Sequence, residues 1–111
     1  MQLTTKNNYT LITTDQNSVE DFYNSLMEKE NDLLNMHLIV IFSENFNITS
    51  QEILLFLGVA NKFRQVSMSF VIVCSEIDMD DVPDEIVVAP TLSEAEDVLE
   101  MEAMERDLIN L

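Results

Sequence analysis

Glycine is almost missing: Gly58 is the single one among 111 residues. Loops that cradle phosphate, or the pyrophosphate of a dinucleotide, need several glycines within a few positions. Nucleotide-binding enzymes of those kinds are therefore excluded. Histidine and cysteine are equally scarce, with His37 and Cys74 alone. One of each cannot build a zinc centre of three or four ligands, and a lone cysteine forms no disulfide framework, which suits a reducing cytoplasm. Long apolar runs are absent too. The stretch Ile53–Leu57 is only five residues long, whereas a helix crossing a bilayer needs about 20. The opening "MQLTTKNNYT" has no basic cluster followed by an apolar run, so no export signal is read there. A cytoplasmic chain with no membrane segment and no cofactor is expected.

Positive charge is the other shortage. Lys and Arg number 5 against 21 acids, a formal net charge of −16. From Glu76 onward there are 13 acids and one base, Arg106, which leaves 8 acids and four bases before it. Phosphate backbones are held by Lys and Arg that displace counterions, so nucleic acid is not an expected partner. Much of the acidity serves solubility alone.

What is present is a regular alternation of elements, with 47% hydrophobic residues, enough for one core in a single domain spanning residues 1–111. "QLTT" and "YTLITT" alternate polar and apolar residues around Asn7-Asn8, a pair that tolerates positive φ, and predict a two-stranded hairpin. "NSVEDFYNSLMEKENDLLN" predicts an amphipathic helix, started by Ser18 with Asp21 three residues on, that turns Val19, Phe22, Tyr23, Leu26 and Leu33 inward. "HLIVIF" and "SFVIVC" are continuous apolar runs rich in β-branched residues, the pattern of strands covered on both faces. Cys74 reads as a small core residue, and His37, with no partner near it in the chain, as a hydrogen-bonded structural residue. A further helix is predicted from near Ser50 to near Val66, a short strand at "IVVA" before Pro90, and a last helix capped by Thr91 or Ser93 with Leu92, Ala95, Val98 and Leu99 inward. The order ββαβαββα implies an α/β fold whose mixed, mostly parallel sheet carries the hairpin as an antiparallel edge.

Three stretches carry candidate function. The acidic loop 76–85 holds Asp78, Asp80, Asp81 and Asp84, but counted from Asp78 its sixth position is Pro83 and its twelfth Ala89, where an EF-hand has glycine and glutamate. It reads as a solvated connection. In "ITSQEILLFL", Thr49 and Glu52 form a capping box that leaves Ser50 at the first helical position with its hydroxyl unused. Ile53, Phe56, Leu57, Ala60 and Phe63 make the inward stripe of this helix, so Leu54, Leu55 and Val59 need another neighbour, either adjoining loops or a partner. In the last helix the apolar residues shift after Leu99 to Met101, Met104, Leu108 and Leu111 among Glu100, Glu102, Glu105 and Asp107. Residues 100–111 are then a protruding end that binds a partner helix or pairs two copies into a homodimer, or else the stripe folds back on the core.

The stretch "IVIFSENFNITSQEILLFL", followed by "RQVSMSFVIVC", resembles the STAS domains, the family of bacterial anti-sigma factor antagonists and of the cytoplasmic tails of sulfate transporters. In that family a hydrophobic strand leads through a short loop to an Asp-Ser-x-Gly-hydrophobic motif that opens a helix, and the serine accepts a phosphate. The resemblance implies a STAS-like fold over nearly the whole chain and places Ser50 at the phosphoacceptor, with Thr49 where the aspartate stands and Glu52 where the glycine stands. It also implies a non-enzymatic interaction module whose partner, an anti-sigma factor or its kinase, meets Thr49, Gln51, Glu52, Leu54 and Leu55. Two other readings stay open: a structural dimerisation domain, and an enzyme or enzyme subunit whose acids converge on a cation.

Overall fold

A computed structural model describes residues 1–14, 18–42 and 48–109. The five strands are β1 (Gln2–Thr5), β2 (Thr10–Thr13), β3 (Leu38–Ile41), β4 (Phe70–Val73) and β5 (Val87–Ala89). They form one sheet in the order β1-β2-β3-β4-β5, with β1 antiparallel to β2 and all later pairs parallel. The helices are α1 (Val19–Glu28), α2 (Glu30–Leu33), α3 (Ser50–Ile53), α4 (Leu57–Gln65) and α5 (Leu92–Ile109).

This order explains the apolar runs. In β3, Leu38 and Val40 face one side of the sheet and Ile39 the other, and all three are fully buried. Side chains alternate between faces along a strand, so a central strand covered twice has no polar position to spare. Because the strands advance in one direction, right-handed crossovers all fall on the same face. There α1, α2, α3, α4 and the connection 74–86 close over Ile12, Val40, Phe42, Phe70, Ile72 and Val88. That connection contains no α-helix, only a 3-10 turn at Met79–Asp81, yet its thirteen residues between Val73 and Val87 suffice for a parallel crossover. The opposite face is left to α5, which packs on β4 and β5 through Ala95 and Leu99, with Leu92 and Val98 half-buried beside them.

Helix starts follow the side-chain caps. Ser18 Oγ accepts the Asp21 N–H at 3.1 Å, and Thr91 Oγ1 accepts that of Glu94 at 3.2 Å, which makes Thr91 rather than Ser93 the cap of α5. The predicted first helix is two pieces, divided at Lys29. The hairpin turn corrects another expectation: Ser67 is the one described non-glycine residue with positive φ, so Asn7 and Asn8 do not use that region. The connection is four residues long, closed by the Lys6 N–H donating to the Tyr9 carbonyl at 2.8 Å, and loops of that length are built without a left-handed pair. At the end of α4, Ser67 takes the left-handed position usually given to glycine, with φ of 62°. The Met68 N–H reaches the Phe63 carbonyl at 2.9 Å and the Ser67 N–H that of Arg64 at 3.1 Å, a Schellman stop built without glycine.

Candidate interaction surfaces

The first surface lies where β3 hands over to α3, at the carboxyl ends of the parallel strands. The loop 43–47 before it lies outside the described residues. Thr49 is the helix cap: its hydroxyl oxygen accepts the Glu52 N–H at 3.2 Å, and Glu52 Oε1 accepts the Thr49 N–H at 3.1 Å and the Thr49 hydroxyl at 3.2 Å. The box expected from Thr49 and Glu52 is thus closed in both directions. Ser50 opens α3 and is half-buried, less outward than its position on the wheel suggests, while Gln51 is exposed.

Between α3 and α4 the chain tightens to a 3-10 turn at Leu54–Phe56. Three residues at three per turn, instead of 3.6, rotate the next helix by about 60°. That rotation corrects the expected stripe: Val59 enters the core at 3% exposure, while Leu57 moves to the margin and is half-buried. Phe56 is the hub. Its ring meets Phe22, Tyr23, Phe42 and Phe70 at centroid separations of 6.0, 5.7, 6.0 and 6.4 Å. Leu54 and Leu55 stay outside the stripe, each 44% exposed, within one turn of Ser50 and Gln51. Sequence reasoning found these two and misplaced Val59, because the 3-10 turn carries no composition signal.

The second surface is on the other side of the sheet. Along α5, Leu92, Ala95, Val98 and Leu99 share the arc facing the strands, and Glu102 and Arg106 continue that arc beyond Leu99, both half-buried. Met101, Met104 and Leu108 fall on the reverse arc and are 61%, 63% and 69% exposed. The stripe does not fold back on the core. Nor does α5 leave the domain at residue 100: Arg106 Nη1 donates to Ser69 Oγ at 3.2 Å, at the amino end of β4. Leu111 lies outside the described residues.

A polar knot ties α5 to the residues that precede β2 and β4. His37 Nδ1 accepts the Ser69 N–H at 2.9 Å, and Tyr9 Oη donates to Glu96 Oε2 at 2.9 Å. Burial, then the Arg106 guanidinium, lower the His37 pKa against an opposing pull from Glu102. Burial, then the hydrogen bond and charge of Glu96, push Tyr9 up to about 12. Tyr9, His37, Glu96 and Arg106 line an open cleft of about 320 Å³. Serine and histidine adjoin here, but the ring nitrogen facing Ser69 is occupied by its backbone N–H, so it cannot take the hydroxyl proton as a general base would. Nothing in the sequence linked these residues, which lie 32 and 37 positions apart.

In the acidic connection, Asp78 Oδ1 accepts the Asp80 N–H at 2.9 Å, a side-chain turn that uses the carboxylate locally. Among the described residues no three His, Cys, Asp or Glu side chains are grouped to hold a metal ion, and no helix is long and apolar enough to cross a membrane. Neither a protein-family model nor a curated protein matches this chain.

Proposed function

We propose that the chain is a non-enzymatic protein-interaction module of the cytoplasm, STAS-like in layout, that works by contact at the corner formed by Thr49, Ser50, Gln51, Glu52, Leu54 and Leu55. The observation that carries this reading is the exposure of two adjacent leucines, each 44%, at the turn between α3 and α4, where Ile53, Phe56, Val59, Ala60 and Phe63 are in the core and Leu57 at its margin. A strand leading to a capped helix with a serine at its first position supports the parallel with anti-sigma factor antagonists. The partner is then a protein, an anti-sigma factor or its kinase, rather than nucleic acid or membrane, and Ser50 is the residue whose modification would regulate the contact.

The electrostatics of such a modification are finely divided. A phosphate on Ser50 gains about 0.3–1 kcal/mol from the helix N-terminus. The Glu52 carboxylate, held at the cap by the Thr49 N–H and hydroxyl, is a like charge two positions along the chain and opposes it. A phosphate there would change the charge of the corner by about −2 without large effect on the fold, which is what a contact switch requires. The test is incubation with candidate anti-sigma kinases and ATP, read by intact mass, alongside binding to the cognate anti-sigma factors. A phosphate on the wild type that is lost in Ser50→Ala, with binding lost in Leu54→Gln/Leu55→Gln, is the expected result. No mass shift and undiminished binding by the leucine variant remove the reading.

A further inference from the structure

The reverse arc of α5 has a chemistry that specifies its occupant. Met101, Met104 and Leu108 are spaced three and four apart and form one apolar ridge pointing away from the sheet. The exposed residues that flank it are acids: Glu105 on one side, Glu100 and Asp107 on the other, and Asp97 at its amino end. The single base of this helix, Arg106, is turned the other way, toward Ser69. Apolar at the centre and anionic at the rim, the ridge lies on a chain whose net charge is −16.

We infer that this ridge docks an amphipathic, basic helix of another protein, with apolar residues at helical spacing set on the methionines and Lys or Arg set against Glu100, Glu105 and Asp107. The inference rests on the chain being a contact module but concerns the surface opposite the Ser50 corner. Methionine side chains are unbranched and polarisable, so they conform to varied apolar partners, while opposite charges at the rim set orientation and speed the encounter. A second copy is a poor occupant. Pairing two α5 helices would bring the same four acids of each chain together with no base between them, and like charges so placed are repelled. Anionic lipid is opposed by the same rim.

The test uses the full chain and synthetic helical peptides as long as α5, followed by fluorescence anisotropy. One peptide carries leucine at positions i, i+3, i+4 and i+7 with lysine elsewhere; a second replaces its leucines with glutamine; a third replaces its lysines with glutamate. The leucine-lysine peptide should bind at least about ten-fold more tightly than either of the others, and more weakly as salt rises. Met101→Gln/Met104→Gln/Leu108→Gln leaves the charge unchanged and should weaken that binding by about ten-fold or more, whereas Leu54→Gln/Leu55→Gln should not. The inference is overturned if the triple variant binds like the wild type, since acidity alone then attracts the peptide, or if the Leu54/Leu55 variant loses as much. It is equally overturned if sedimentation shows a wild-type dimer that the triple substitution dissociates, because a second copy then occupies the ridge.

Discussion

The two faces of the sheet are built unequally. Among the described residues, nineteen buried on the crossover face join one cluster, which holds Phe22, Phe42, Phe56, Phe63 and Phe70; on the α5 face six do, and none of those six is aromatic. The cause is topological. Strands that advance in one direction send every right-handed crossover to one side, so the other side waits for the element that comes after the last strand. A single helix has one arc for the sheet and must leave the reverse arc to water or to a partner. The lesson is that stability concentrates where the connections pass, and unclaimed apolar surface collects on the element that has a face to itself.

The sharpest way to break this comparison is to remove one side chain from each cluster. Phe56→Ala takes away the hub of the ring cluster and should cost about 3–5 kcal/mol in urea denaturation. Leu99→Ala, in the thinner layer and itself 9% exposed, should cost about 2 kcal/mol, near the lower end for such truncations. Equal losses would mean that the α5 layer is as much a core as the other. At the corner of the crossover face, Thr49→Ala removes a cap engaged in both directions and should cost about 1 kcal/mol, whereas Ser50→Ala should change stability by less than about 0.5 kcal/mol. A larger effect at Ser50 would make it structural and weaken its candidacy as a switch.

Glycine placement sharpens the same contrast. Gly58 lies in α4 with nothing within 4 Å of where a Cβ would stand, so Gly58→Ala should stabilise the chain by about 1 kcal/mol. At the end of that helix Ser67→Gly should stabilise it by roughly half as much, through relief of the left-handed backbone. Both are read from thermal midpoints.

On the α5 face the smallest expected effect is pH-dependent. The folded pKa of His37 lies below its ordinary 6.5, so the unfolded chain takes up a proton more readily than the folded one. Stability contributed here is complete above about pH 6.5 and declines as pH falls from there through the lowered folded value. His37→Asn keeps an acceptor for the Ser69 N–H but does not titrate. Its stability relative to wild type should rise on acidification from about pH 7.5 to pH 5.5. A constant difference would show that His37 is no more shielded than in the unfolded chain.

How much of this was legible beforehand depends on the range of the interaction. Strands β3 and β4 were readable from their runs, since burial on both faces leaves no room for polar residues. The caps at Ser18 and Thr49 were readable because a cap involves residues three apart. The 3-10 turn at Leu54–Phe56 was not: leucine and phenylalanine suit either helix, and the tightening accompanies packing of Phe56 among Phe22 and Tyr23 of α1, Phe42 just past β3 and Phe70 of β4. The knot of His37, Ser69 and Arg106 was not legible either, because strand register and the angle of α5 bring it together. The exposed pair Leu54 and Leu55 and the ridge Met101, Met104 and Leu108 were visible as apolar residues left over from each inward stripe. Whether they would stay outside depended on what the sheet order left available to cover them.

The most direct measurement is urea denaturation of Met101→Gln/Met104→Gln/Leu108→Gln beside Leu99→Ala. Glutamine keeps the helix propensity of the residues it replaces, so a ridge reserved for contacts predicts a midpoint within error of the wild type while Leu99→Ala falls clearly below it. A loss in the triple variant as large as that of Leu99→Ala would show that the ridge is packed within the folded chain, and would contradict the division of labour between the two faces.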